Sequence, residues 1–454
     1  MNGRTPSSNK HALVLGGSMA GLLAARVLSD HFERVTILER DVLSNDAEHR
    51  RGVPQSRHAH ALVSGGTEAL KVLFPGIDEE LITAGAVPAD ALRNGQWHFE
   101  GAALAKCDSD INGLLVSRPT LEAHVRRHVR ALPGVEVVDG ESARQLLFMG
   151  GRVGGVVTEF GPIESDLVVD ATGRGSRAPA WLAALGFPVP EEDEVRMDLT
   201  YTTRHFRRHP NDLGGDLFAV VSPTPQGKRG GVMIAQEGDK WVVTLFGHFG
   251  NRAPGDLEGF RSYAETLPSQ VIAQFLRLAD PIDEPCVFRF PVSMRRRYER
   301  LSGFPKGFLV FGDAICSFSP AYGQGMSSAA LQAIALRNEL KKGLADIAPR
   351  FFTSAARVID NPWKIAVGGD LKMPETEGRR SLGVRLINWY VSCLHRLGHR
   401  DPEAAAAFVR VAQMRAAPES ILQPRLALRA LLNNFRLWPV RPRERRFETE
   451  ASAH

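Results

Sequence analysis

Residues Gly16, Gly17, Ser18, Met19, Ala20 and Gly21 follow the apolar run Ala12 to Leu15 and lead into the helical pattern Leu22 to Leu28. A second apolar run, Val35 to Leu38, ends on Glu39 and Arg40. Strand, glycine turn, helix, strand and acid within about thirty residues is the spacing of a dinucleotide site. Gly16 permits the tight turn, and Gly21, without a Cβ, lets the helix press on the sheet. Ser18 stands where the middle glycine usually lies and is small enough for a pyrophosphate to approach. The free N–H groups at the helix start, with its dipole, favour the phosphates. Glu39 is placed to take the ribose hydroxyls, and Arg40 completes the candidate set. The pattern alone does not separate NAD from FAD.

Far along the chain, the apolar run Gly307 to Phe311 is followed by Gly312, Asp313 and Ala314. Then Pro320, Ala321, Tyr322, Gly323, Gln324, Gly325, Met326 and Ser327 open an Ala-rich helix. This arrangement resembles the second FAD fingerprint of the flavoprotein hydroxylases. The resemblance implies that Asp313 holds the ribityl hydroxyls beside Gly312, and that Pro320, Gly323, Gly325, Met326 and Ser327 lie along the isoalloxazine edge. Tyr322 and Gln324 then flank that edge and are candidates to orient substrate. A positive helix end there stabilises negative charge on the reduced ring.

Between these segments, Asp166 to Ser176 reads as a strand running into a glycine turn. Its Asp170, Ala171, Thr172 and Gly173 look like the segment that closes over the pyrophosphate in the same superfamily. Aromatic hydroxylases of that superfamily carry an Asp-Gly pair here, tied to FAD and nicotinamide contacts, whereas this chain has Thr172 before Gly173. Weak or indirect reduction is therefore expected.

Arg50 to His60 follows the second strand, and Ser117 to Glu122 opens a later helix. Together these segments are similar to the bacterial flavin-dependent epoxidases that act on polyene precursors of polyether natural products. That group lies within the superfamily of para-hydroxybenzoate hydroxylase and squalene epoxidase, and the likeness runs from about residue 11 to 345. It implies that Arg118 reaches the FAD phosphates and that the loop from Arg51 to Gln55 borders the flavin. It implies a flavin C4a-hydroperoxide as oxygen donor, O2 as co-substrate, and NAD(P)H as electron source, directly or through a separate flavin reductase. Epoxidation of an alkene in a polyketide or terpenoid intermediate is the leading expectation, so the partner is an apolar polyene or aromatic small molecule. Aromatic-ring hydroxylation is the alternative, and a prenyl or alkene reductase, which consumes no O2, a further one. A halogenase relies on a WxWxIP stretch, and no two tryptophans here have that spacing.

The cofactor carries such chemistry, so few side chains stand out as catalytic; His58 and His60 are candidates alongside Tyr322 and Gln324. On a helix, residues two apart face different ways, so the histidine pair makes a poor metal chelate, and no metal is expected.

The chain of 454 residues is 43% hydrophobic and 24% charged, which suits a globular enzyme with a sizeable core. The net charge of +5 is small, and no basic stripe interleaved with aromatics points to nucleic acid. Arg295 to Arg297 is the densest basic run, expected as a solvated strand end. Cys107, Cys286, Cys316 and Cys393 are scattered, with no CxxC pair and no secretory leader, so a reducing cytoplasm is expected. No apolar run approaches the roughly 20 residues needed to span a bilayer. Leu426 to Trp438, apolar and basic by turns, is either a terminal helix packed on the protein or a peripheral membrane contact.

The expected fold is mixed α/β: a discontinuous Rossmann-type FAD-binding domain over residues 11–187 and 291–345, an antiparallel-sheet substrate domain over 188–290, and a helical C-terminal subdomain over 346–440. Residues 1–10 and 441–454 read as tails. Short β-branched and aromatic runs punctuated by Gly, Pro, Asn and Asp mark the sheet, with a helix over Asp256 to Leu278. Pro362, Pro374, Pro402, Pro418 and Pro424 loosely interrupt the helical part.

Overall fold

A computed structural model describes residues 10–436 apart from Ala61. The first sheet is wholly parallel, in the order Phe308–Val310, Leu167–Asp170, His11–Leu15, Arg34–Glu39, Val135–Asp139. Every residue of His11–Leu15 is buried, as a parallel strand covered on both faces requires. The strand that opens the chain is flanked by the next strand on one side and by Leu167–Asp170 on the other. The chain order therefore reverses beside it, and the crevice at the carboxyl ends of these strands is where such sheets take ligands.

The second sheet has eight strands, in the order Cys316–Ser317, Cys286–Arg296, Glu192–Arg207, Lys240–His248, Arg229–Gln236, Phe218–Val221, Gly95–Phe99, Ala102–Ala103. Its pairings are antiparallel except that between Phe218–Val221 and Gly95–Phe99. Residues 95–103 and 316–317 come from parts of the chain that the sequence reading assigned to the FAD-binding unit. One face of this sheet packs Phe206, Trp241, Val243 and Leu245 against Phe260 and Ile272 of two covering helices. The other gathers Met197, Leu199, Tyr201, Phe246 and Phe290 against Ala321 of the glycine-rich loop.

Three expectations are corrected. The single helix over Asp256 to Leu278 is two, Leu257–Glu265 and Val271–Leu276, because Pro268 cannot continue the first. Pro362 does not interrupt: it lies inside Ile347–Asp370, whose Ile359, Trp363 and Ala366 hold the helix to the core. Pro402 and Pro424 instead open helices, where a missing N–H costs nothing. The Arg295 to Arg297 run is no solvated strand end. Arg295 is 2% exposed and pairs with Asp360 at 2.6 Å, while Arg296 pairs with Glu192 at 2.8 Å and Arg297 with Asp193. These pairs bind the strand's end to its neighbours.

The stretch from Leu426 lies in the helix Pro424–Arg436, which packs Leu426 and Ala430 against Tyr390 and Leu394 of Leu382–Gly398 while leaving Leu428, Leu432 and Phe435 exposed. Trp438 and both tails apart from Lys10 lie outside the described residues. Among the described residues no helix is long and apolar enough to cross a membrane.

The large sheet is tied to the helix Arg118–Arg130 by one carboxylate. Glu237, in the turn after Arg229–Gln236, accepts from the Ser117 backbone N–H at 2.9 Å, from the Ser117 hydroxyl and from Thr120 Oγ1 at 2.5 Å. Burial raises its pKa, but these donors outweigh that and hold it below the ordinary Glu value. Glu237→Ala is expected to cost about 1–3 kcal/mol. A depressed folded pKa gives stability that is present above the unfolded value and lost as pH falls through the folded one. The gap between wild type and variant should therefore shrink from pH 7 to pH 4, read as urea midpoints.

Candidate active site

The glycine turn is built by clashes that only glycine avoids. Gly16 has φ +96°, and a Cβ there would sit 2.8 Å from the Ala171 carbonyl oxygen. A Cβ on Gly21 would sit 1.8 Å from the Gly16 carbonyl oxygen, and one on Gly312 (φ +67°) 2.7 Å from Ala20 Cβ. Gly16, Ala171 and Gly312 thus bring three segments distant in sequence to one crevice. Gly173 (φ +75°) joins them, its Cβ direction 4.0 Å from Asp313 Cβ.

Ser18 stands at the N-cap of Met19–Leu28 but makes no side-chain cap bond. Its hydroxyl instead accepts from Arg118 Nη2 at 3.0 Å, which leaves the first helical N–H groups free toward the crevice. Buried Arg118 opens its own helix, and its Nε has no hydrogen-bond partner among the described residues. The Glu122 carboxylate stands 3.7 Å from that nitrogen, too far for a hydrogen bond. Arg118 and Arg174 both act on Asp313, whose half-buried carboxyl burial pushes above the usual range and these two cations draw down.

Glu39 accepts from the Gly17 N–H at 2.7 Å and the Asp41 N–H at 3.0 Å, and pairs with Arg50 at 3.1 Å. Arg50 also meets Glu122 at 2.6 Å and the Gly17 carbonyl at 3.2 Å. Arg50, Ser56, Arg118, Glu122 and Arg126 line a small recess beside the turn. The sequence reading singled out Arg51, which is exposed, as is Arg40, while Gln55 is half-buried in the short turn Pro54–Arg57. Of the arginines in this loop, Arg50 reaches the glycine turn.

Asp170 is fully buried, and its carboxylate accepts from the Thr172 N–H and hydroxyl and from Ser176 Oγ at 2.9, 2.6 and 2.6 Å. It shapes the turn from within, and it occupies the Thr172 hydroxyl. Gly325 and Met326 begin the helix Gly325–Leu340, which has no acid in its first turn and no side-chain cap from Gln324. Ser327 Oγ accepts from the Val63 N–H at 3.0 Å. Pro320 opens the short turn Pro320–Tyr322, closed by Gly323 at φ +66°.

The four catalytic candidates separate. Buried Gln324 donates to the Ala412 carbonyl at 2.9 Å, toward the C-terminal helices, with its Oε1 unpartnered. Tyr322 donates to Asp370 at 3.2 Å. His58 lies just after the Pro54–Arg57 turn, not on an α-helix, with Nδ1 2.7 Å from Thr203 Oγ1 and its ring 5.9 Å from that of Tyr201. Burial lowers its pKa to about 4, so it is neutral against the large sheet. The His60 Nδ1 lies 2.9 Å from the His58 carbonyl, and burial lowers its pKa to about 3. Asp370, 48 residues beyond Tyr322, had no signal in the sequence.

No family model matches the chain. Protein Rv3254 of Mycobacterium tuberculosis (strain ATCC 25618 / H37Rv) is 33% identical over 476 residues, covering 98% of each chain. Among solved structures, the flavin-dependent brominase Bmp2 superposes with a TM-score of 0.66 at 13% identity, over 94% of this chain and 100% of its own. A flavoprotein/dehydrogenase from Cytophaga hutchinsonii gives 0.65 at 16%, over 94% and 98%. The 2-methyl-3-hydroxypyridine-5-carboxylic acid oxygenase gives 0.58 at 18%, over 90% and 98%. These likenesses establish a fold shared with flavin enzymes.

Alanine in place of a glycine inside an exposed helix normally stabilises by about 0.5–1 kcal/mol. Gly21→Ala should do the reverse, because its Cβ would meet the Gly16 carbonyl oxygen at 1.8 Å. A lowered melting temperature is the expected result, and an unchanged or raised one would show that helix and strand can separate freely.

Proposed function

Because this chain belongs to the family of Protein Rv3254 and has the fold of flavin enzymes, we propose that it is an FAD-dependent monooxygenase acting on a natural-product intermediate. The observation that carries this reading is Arg118: a buried guanidinium, unpartnered at Nε, beside uncapped helical N–H groups and across from Asp313. An orphaned donor of this kind calls for an acceptor, and a dinucleotide pyrophosphate supplies one.

The residues present fit FAD. Gly16, Gly17 and Ser18 with Arg118 would hold the pyrophosphate, Glu39 the ribose and Asp313 the ribityl chain. The Pro320–Ser327 segment would border the ring. Bound and reduced, FAD supplies the activated oxygen from O2. The chain's own work is to orient the substrate and exclude water. The apolar face made by Met197, Leu199, Phe246 and Phe290, packed on Ala321, does both beside the loop assigned to the flavin edge. The helix start at Gly325, free of acids, favours negative charge there.

Epoxidation of an alkene is the leading form of this activity, on the strength of the loop motifs and the apolar face; aromatic-ring hydroxylation would use the same site. A prenyl or alkene reductase is the reading that consumes no O2. With the Thr172 hydroxyl turned onto Asp170, reduction by NAD(P)H is slow or comes through a separate flavin reductase.

An apolar substrate also needs a route. The helices Leu382–Gly398 and Pro424–Arg436 contain no carboxylate, and they expose Leu382 (83%), Leu386, Trp389, Leu428, Leu432 and Phe435. Apolar stripes beside arginines suit peripheral contact with an anionic lipid surface. The protein should co-sediment with phosphatidylglycerol vesicles at low salt and release at high salt, and Leu386→Glu with Leu432→Glu should abolish the binding.

The purified protein is expected to be yellow with stoichiometric FAD, and Arg118→Ala to weaken FAD binding at least about tenfold, the loss of one charge-assisted hydrogen bond. After anaerobic reduction, O2 uptake with transfer of one labelled oxygen atom to an added alkene supports the monooxygenase. Flavin reoxidation by an alkene without O2 would establish the reductase instead. Rapid bleaching of the flavin band by NADPH alone would remove the need for a separate reductase.

A further inference from the structure

Where the loop Pro320–Gly323 meets the large sheet, polar side chains are buried whose hydrogen-bonding capacity the fold leaves unused. Asp370, the last residue of Ile347–Asp370, is 2% exposed. Its Oδ1 accepts from the Tyr322 hydroxyl at 3.2 Å, while Oδ2 has no partner among the described residues. Tyr201, 5% exposed, reaches in from the sheet. Its hydroxyl lies against the Ser319 side chain and the Ala321 backbone, close enough for both to favour its ionised form, in geometry looser than a full hydrogen bond. Ser319 is fully buried, and its Oγ is also unpartnered. Tyr201, Tyr322 and Asp370 are close enough to act on one another electrostatically.

Three buried polar groups left open at one junction are costly and rare in folded proteins unless something binds them. The charge environment says what. Among the described residues no arginine or lysine offsets the burial of Asp370, which raises its pKa to about 8, opposed by the Tyr322 hydrogen bond. At neutral pH the carboxyl is therefore mostly protonated. With Oδ1 accepting from Tyr322, its proton is left on Oδ2. The junction then offers a carboxyl O–H and the hydroxyls of the adjoining Tyr201 and Ser319, with Tyr201 packed among Leu199, Phe246 and Phe290.

We propose that Asp370, Tyr201 and Ser319 bind an uncharged oxygen group of the substrate, a carbonyl or hydroxyl, and so select an oxygen-bearing molecule over a pure hydrocarbon. This inference rests on the monooxygenase reading and names the substrate class within it: a polyketide-like ketone or a phenol, not an unfunctionalised terpene chain. Tyr322 acts through Asp370 as a positioning residue, fixing which carboxyl oxygen is free.

The test compares acetophenone with ethylbenzene, which match in size and differ in the carbonyl, on the full-length protein. Dissociation constants are read from perturbation of the flavin band and, independently, from thermal shift. Acetophenone should bind about tenfold more tightly, the ratio for one net hydrogen bond. Asp370→Leu should remove that preference without weakening ethylbenzene, and Asp370→Asn, which keeps a donor, should restore part of it. The infrared carboxyl C=O band lost in Asp370→Asn should shift on adding acetophenone to wild type. Equal affinities, no binding of either probe, or a preference that survives Asp370→Leu would overturn the proposal, and would leave ordered water as the occupant. Protein that lacks flavin yet discriminates by thermal shift would refute the cofactor reading and keep the site. Flavin-loaded protein that does not discriminate would do the opposite.

Discussion

The crevice depends on how one half-buried arginine is shared. Arg50 stands between Glu39 at 3.1 Å, Asp41 at 3.6 Å and Glu122 at 2.6 Å, and it donates to the Gly17 carbonyl. It thereby links the end of the second parallel strand, the glycine turn and the helix Arg118–Arg130. Removing one member of such a buried set leaves uncompensated charge, at about 3–5 kcal/mol. Arg118 and Arg126 add to Arg50 on the cationic side, and Glu39, Asp41 and Glu122 face them. With three cations against three carboxylates, the network is near neutral before any ligand arrives. The attraction for a diphosphate then falls chiefly on the uncapped N–H groups of Met19–Leu28 and on the unused Nε of Arg118. That explains why Ser18 is turned away from capping: a serine bonded to its own helix would compete with the phosphate for the same donors.

What the sequence disclosed was what steric exclusion dictates. Gly16 and Gly21 were legible because any Cβ there meets a carbonyl within 3 Å, so spacing alone identifies them. The first strand, with its apolar run Ala12 to Leu15, was legible for a similar reason, since only a strand covered on both faces tolerates five buried residues in a row. Arg50 was missed in favour of Arg51 because neighbours in an irregular loop point different ways, and no period says which one faces in. Asp370 and Glu237 were out of reach altogether. Their partners, Tyr322 and Ser117, are 48 and 120 residues away, and a single acid at a helix end or in a hairpin turn looks solvated until the fold closes over it. The arginine run, correctly read as a strand end but expected to be solvated, failed in the same manner: its acids Asp360, Glu192 and Asp193 lie 65 to 104 residues off.

Two acids, half-buried Asp313 and buried Asp370, are driven to different roles by their neighbours. Burial raises the pKa of both Asp313 and Asp370, but Asp313 has Arg118 and Arg174 to draw it back. Asp370 has only a tyrosine hydroxyl. A carboxyl facing two guanidinium groups is drawn back toward its charged, hydrogen-bond-accepting form, which suits the hydroxyls of a ribityl chain. A carboxyl with no cation keeps its proton near neutral pH and serves as a donor.

On the proposed reading, in which the oxygen chemistry belongs to a bound flavin, the separation matters. A fixed negative charge on the substrate side would disfavour electron-rich flavin, whereas a neutral donor there would hold substrate oxygen without that penalty. The absence of a cation beside Asp370 therefore works in the same direction as the acid-free helix start at Gly325. Both keep negative charge away from the place where the reduced ring would carry its own.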